Sequence, residues 1–329
     1  MKSIILGLLL SVSVLFSGTD TGVLWLSQIP PQERAGQIKP AGMHRLPSIK
    51  QRGRGPVTLA LWLRQGESVL EADYPDQLGF DSLETIILTS AAEPIRHELS
   101  KVAGGLELQL KGLGEGFYNT YLLGKTIENK TLEVLTIQAE LMNHSCRNGH
   151  EHVSRNLGPY YGGENIPLEI VRTRVQWEDY HTFITSGDIV EYQLLKYGQP
   201  APGVKVTLST HHGWQKSKLT DAEGLVRFEF IGEYFGKDKE FHNRDIYHYL
   251  LVAEFTAQDS GVFQNQAYQT VKYQTTVSEK YRPAAEIYTS TVWGLVTILF
   301  TMMIISLGIF VYRKKTSHDY REIVFSEKD

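Results

Sequence analysis

Between Val57 and Ser278 the chain reads as short apolar runs broken by turn residues. "VTLALWL", "LETIILT", "LELQLKG", "NTYLLG" and "LEVLTIQAELM" alternate apolar with polar positions or are dense in β-branched residues, and Gly, Pro, Asp and Asn separate them. A period of two puts one face of a strand in a core and the other in water, so runs at this spacing predict a β-sandwich. A second block, from Ile166 to Ser278, repeats the pattern. "DIVEYQLLKYGQPAPGVKVTLST" predicts strand, turn, strand: Gly198 and Gln199 turn, Pro200 and Pro202 stiffen, and Gly203 opens the next strand. "HHGWQKSKLTDAEGLVRFEF" places a second turn at Asp221–Gly224. "YHYLLVAEFTA" and "YQTVKYQTTVS" complete the sheet in the Tyr, Val, Phe and Thr that strands favour. The expected fold is all-β: two tandem Ig-like β-sandwich domains, residues 57–142 and 166–280, plus one C-terminal transmembrane helix.

The two ends carry a different pattern. "MKSIILGLLLSVSVLFSG" sets Lys2 and the amino terminus before an apolar stretch from Ile4 to Phe16, which reads as a secretory signal over residues 1–22. The small-residue pattern around Ser17 and Gly18 is weak, so removal and retention as an anchor both stay open. Near the other end, "VWGLVTILFTMMIISLGIFVY" gives 21 uncharged residues from Val292 to Tyr312. A bilayer core needs about 20. Trp293 and Tyr312 stand at its edges, where amphipathic aromatics prefer the interface, and "RKK" at 313–315 marks the cytoplasmic side. A membrane helix over 290–312, a cytoplasmic tail over 313–329 and a bulk outside the inner membrane follow as expectations. The net charge of −4, without a recognition helix or aromatic–basic interleaving, argues against nucleic acid as a partner.

Residues 28–56, most of the segment 23–56, hold Arg34, Lys39, Arg45, Lys50, Arg52 and Arg54 among Pro and Gly, with little apolar surface to offset ordering entropy. They read as a linker, with contact to anionic headgroups as the functional alternative. Residues 143–165 are polar and glycine-rich, a loop of a length that is often functional. Within it lies "HSCRNGHEH", the only cysteine in the chain beside three histidines. A lone cysteine in an exported chain is a free thiol, a metal ligand or an intermolecular partner. Cys146, His150 and His152, with His144 as the fourth, offer thiolate and imidazole donors that suit Zn, Ni or Cu. The alternative is a polar loop with an unreactive thiol. His211 and His212 sit at an expected hairpin tip, and the "NRD" between His242 and His248 suggests a turn. "GLGEGF" at 112–117 is followed by no helix, "HELSK" lacks the second zinc histidine, and there is no G-x-S-x-G elbow.

"NIPLEIV", "SGDIVEYQLLKYGQPAPGVKVTL" and "TDAEGLVRFEF" resemble the exported family described as a nickel-uptake substrate-specific transmembrane region. The matching positions are Gly198, Pro200, Gly203, Val206, Thr220, Asp221 and Gly224, a hairpin that also occurs in carboxypeptidase-regulatory-like Ig modules. The resemblance implies a signal peptide, a variable N-terminal β region and a C-terminal Ig-like module. The function expected is non-enzymatic: an accessory in transition-metal handling or uptake beside a membrane transporter. Its alternative is a structural or protein-interaction module of the cell envelope, partnered by another envelope protein.

Overall fold

The computed structural model describes residues 22–31, 57–69, 72–89, 94–96, 99–102, 104–113, 116–143, 162–173, 182–231, 246–282 and 284–317. Among them the amino-terminal half forms β1 (Val23–Ser27), β2 (Val57–Gly66), β3 (Ala72–Asp73), β4 (Ser82–Thr89), β5 (Pro94–Arg96), β6 (Ser100–Val102), β7 (Gly105–Leu113), β8 (Gly116–Glu128) and β9 (Thr131–Asn143). The carboxyl-terminal half forms β10 (Glu169–Arg172), β11 (Ile184–Thr185), β12 (Ile189–Lys196), β13 (Gln199–Pro200), β14 (Lys205–Thr210), β15 (Gln215–Leu219), β16 (Leu225–Glu229), β17 (Tyr247–Ala257), β18 (Gly261–Phe263), β19 (Gln266–Tyr268) and β20 (Thr270–Arg282). A single long helix, α1 (Ala285–Thr316), follows. The fold is all-β, built of sheets packed face to face, with a C-terminal apolar helix, as the strand pattern predicts.

What the pattern does not convey is how the sandwiches join. The largest sheet runs β15-β14-β17-β20-β9-β8-β4-β5, so strands of both halves lie in one surface. The seam is parallel: β9 pairs β20 from Thr131↔Thr270 to Gln138↔Val277. The sheet of β1, β2, β7 and β6, with β3 beside β2, covers one face of this central sheet, and the sheet of β10, β12, β13 and β16 covers the other. Alternation along β9 divides its side chains between two cores. Leu135, Ile137, Ala139 and Leu141 meet Leu59, Leu61 and Leu63 of β2 and Leu106, Leu108 and Leu110 of β7. Leu132 and Val134 face the opposite way, into the core of Tyr192, Leu194, Val226 and Phe228. β17 does the same, with Leu250 in the first core and Tyr249, Leu251 and Ala253 in the second. Both strands are buried on two faces in their middle, over Val134–Ala139 of β9 and His248–Leu251 of β17, as strands covered on both sides must be.

The turns follow local chemistry. β8 and β9 are joined by Asn129 and Lys130 at φ 50° and 63°, the pair of left-handed residues that a tight hairpin needs. The turn expected at Gly198–Gln199 is centred one residue earlier, on Tyr197 and Gly198, because Gln199 already pairs Lys196. At the Asp221–Gly224 turn, Asp221 Oδ1 accepts from the backbone N–H of Glu223 (3.1 Å) and Leu225 (2.7 Å). Gly224 has φ 73°, and a Cβ there would lie 2.7 Å from the Leu194 carbonyl oxygen.

The assignment of all of 23–56 to a linker needs correction. Val23–Ser27 form a strand that pairs β2 from Val23↔Gly66 to Ser27↔Trp62, burying Trp25 and Leu26. This apolar run stabilises itself against a strand some forty residues away, so no local window marks it as part of a sheet. Residues 32–56 lie outside the described residues, as does the expected signal segment up to residue 21 and the tail beyond Ser317.

Ile137 on β9 is 1% exposed and packs into the first core. Ile137→Ala should lower unfolding stability by about 2–5 kcal/mol, read from urea denaturation followed by tryptophan fluorescence. A loss below about 1 kcal/mol would mean that the site is not close-packed.

Candidate functional site

The four expected metal ligands, His144, Cys146, His150 and His152, lie outside the described residues. The structure does show where that segment leaves and returns. It leaves at Asn143, the end of β9; the 139-residue offset of the β9–β20 pairs puts this position level with Arg282, the end of β20. It returns at Gly162, whose N–H donates to Glu169 Oε2 at 3.0 Å. The Tyr121 hydroxyl donates to the same oxygen at 2.9 Å. Glu169 is fully buried, and burial pushes its carboxyl up to about 7 although the Gly162 N–H and the Tyr121 hydroxyl pull it down. Among the described residues no group of three or more His, Cys, Asp or Glu could hold a metal ion.

The remaining chemistry is a row of basic side chains across three neighbouring strands. β14 and β17 pair up to Thr210↔Tyr249, which brings His211, in the turn after β14, beside His248. His248 in turn pairs Lys280 on β20. Alternation points His248 to the same face as Leu250, toward the first core. The Lys280 ammonium donates to the Gln28 side-chain oxygen just after β1. His248 Nε2 is buried with no hydrogen-bond partner among the described residues. Burial, with the positive charges of Lys280, His211 and Arg64 around it, lowers its imidazole to about 3. Burial also lowers Lys280 to about 8, against the pull of Glu279. The turn expected at "NRD" lies outside the described residues, as does His242, while His248 is inside β17, in the strand run expected there. The ring of His211 meets those of His212 (5.1 Å) and Tyr247 (5.3 Å), so the adjacent histidines share one aromatic cluster rather than facing apart.

The opposite face carries a second polar chain. The Tyr192 and Tyr249 hydroxyls lie 2.7 Å apart, and the Tyr249 hydroxyl donates to Glu279 Oε2 at 3.0 Å. Arg172 Nε lies 4.0 Å from that carboxylate. Gln138 Oε1 accepts from Ile170 N–H (2.8 Å) and the Thr275 hydroxyl (3.2 Å), tying β10 and β20 to β9. These groups hold sheets together. Tyr192, Tyr249, Gln138 and Thr275 are buried between layers, and Arg172 and Glu279 are partly buried.

No family model and no curated protein matches the chain. Among solved structures it is similar to a two-domain fibronectin type III segment of chicken tenascin, at 10% identity over 80% of this chain and 98% of that one, with a TM-score of 0.18. An Antarctic bacterium's Ca2+-stabilized ice-binding adhesin shows 11% identity over 80% of this chain and 49% of that one, with a TM-score of 0.19. A biofilm-associated protein's BSP domain shows 9% identity over 68% and 27%, with a TM-score of 0.16. At these scores the likenesses carry no argument about this chain.

The two buried groups titrate with opposite signs. The unfolded chain takes up a proton at His248 below about pH 6.5, whereas the folded chain resists until about 3. Stability is therefore complete above pH 6.5 and falls on acidification, by about 3 kcal/mol at pH 4. Glu169 is protonated up to about 7 when folded. Its contribution is complete below the usual carboxylate range and is lost as pH rises through 7, again by about 3 kcal/mol. In a curve of denaturation midpoint against pH, His248→Gln should flatten the limb that falls on acidification below about 6.5, and Glu169→Gln the limb that falls as pH rises from about 4.5 to about 7. Unchanged limbs in either variant would contradict the assignment.

Proposed function

We propose that this chain is a non-enzymatic, single-pass envelope protein whose β-sandwiches form a rigid interaction module held at the inner membrane, with the bulk outside and the carboxyl terminus cytoplasmic. The observation that carries this is the join between β20 and α1. The central strand of the fold ends at Arg282, and the helix begins at Ala285. From Val292 to Thr316 that helix is apolar enough to cross a membrane and packs against nothing among the described residues. Arg313, Lys314 and Lys315 fall in its last turn, which fits a cytoplasmic end.

Partner binding falls to loops rather than strand addition. The central sheet ends at β15 and β5, and both edges are guarded. β15 is "QKSKL", with Lys216 and Lys218, and β5 opens on Pro94, which has no N–H to offer. Lysine and proline on edges discourage pairing with another chain.

A metal-handling role beside a transporter is the second reading. The departure of the His144–His152 segment at the helix-bearing end of the fold favours it, together with the resemblance to the nickel-uptake family. Thiolate and neutral imidazole bind metal only when deprotonated, so affinity should fall as pH drops below about 6.5.

Protease added to spheroplasts should remove the bulk and spare a C-terminal tag; protection of the whole chain would refute the topology. Calorimetry with Zn(II), Ni(II) and anaerobic Cu(I) decides the second reading. Binding tighter than about 10 μM that Cys146→Ser and His150→Ala abolish supports it. Equal behaviour of wild type and variants, or no binding, leaves the interaction module alone.

A further inference from the structure

We propose that the helix-bearing end of the sandwich pair is itself a membrane-contact surface, seated on the headgroup layer of the bilayer that α1 spans. This rests on the anchoring reading above and adds a face, a set of residues and a partner to it. The end is defined by strand register. β20 finishes at Arg282; β11 runs parallel beside it, with Ile184↔Tyr281 and Thr185↔Arg282. β17 begins there, with Tyr247↔Tyr281. β12 begins there too, since the Gly187 N–H donates to the Phe230 carbonyl and the Ser186 N–H to that of Arg282. The turn after β14 reaches the same level, with His212 exposed and His211 against Tyr247.

Two large apolar side chains stand out of this end: Ile189, 70% exposed, and Phe183, 41% exposed. The Arg282 guanidinium lies 3.3 Å over the Phe183 ring. An aromatic ring under a cation, an exposed isoleucine at the start of β12, and histidine and tyrosine at the margin form a composition that an interfacial surface favours, with the exposed Asp188 and Glu229 flanking Ile189. The apolar groups enter the acyl boundary, the cation meets phosphate, and amphipathic rings stay at headgroup depth.

Distance selects the partner. Seven helical steps lead from Ala285 to Val292, where the apolar span starts, a rise of about 10 Å. The headgroup region on each side of the hydrocarbon is about 5–8 Å deep. Long side chains projecting from the Arg282 level cover what remains. A tether this short holds the end against lipid continuously, so even weak contacts act at high effective concentration. Val262, 69% exposed on the β18–β19 hairpin, lies beyond the opposite ends of β17 and β20 and has no such neighbour.

The test uses the full chain carrying Cys146→Ser, reconstituted in phosphatidylcholine–phosphatidylglycerol vesicles. Single bimane labels are placed at Ile189→Cys, Val262→Cys and Leu299→Cys; each replaces an exposed side chain, so the fold is not at risk. Shallow nitroxide lipids should quench and blue-shift the label at 189 and leave that at 262 untouched, while deep nitroxide lipids quench 299. Quenching at 299 with 189 behaving like 262 would overturn the contact surface and leave the anchor standing. No quenching at 299 would overturn the anchor, and the surface with it.

Discussion

The parallel pairing of β9 with β20 is the constraint on which the rest of the structure depends. It joins strands 139 residues apart in the chain and turns two sandwiches into three layers with one shared central sheet. Each half supplies strands to the surface on which the other half packs. Leu132 and Val134 complete the carboxyl-terminal core, and Leu250 completes the amino-terminal one. Parallel strands are stable when both faces are covered, and here the two smaller sheets provide that cover. The long apolar helix follows this same β20, from Ala285 onward.

The sequence makes the class of fold legible because alternation survives where one face meets water, as in Leu59, Leu61 and Leu63 or Leu106, Leu108 and Leu110. The shared sheet is also written there, in a less familiar form. "LEVLTIQAEL" and "YLLVAEF" are too uniformly apolar for half-exposed strands, and two-faced burial is the reason. Pairing between them and β20 is not legible, since register across 139 residues leaves no local trace. β1 was missed for the same cause. The candidate ligands His144, Cys146, His150 and His152 were visible as composition, but they fall outside the described residues. His248 falls in the strand expected over "YHYLLVAEFTA", and its alternation with Leu250 marks a core-facing position.

Charge inside the fold follows from the same architecture. Three layers leave the central sheet no wet face where it is doubly covered, so polar side chains on it must pair or be neutral. Tyr192, Tyr249, Glu279 and Arg172 solve this by a chain of contacts on one face. His248 and Lys280 solve it on the other by giving up proton affinity. Structural burial supplies the desolvation behind these shifts.

Native-state hydrogen exchange on the membrane-reconstituted full chain tests the shared sheet most directly. The account predicts that amides of β9, β17 and β20 are the slowest to exchange and lose protection together as denaturant rises, as one cooperative unit. Exchange of β9 with the amino-terminal strands while β17 and β20 keep full protection would show two independent domains, and would contradict it.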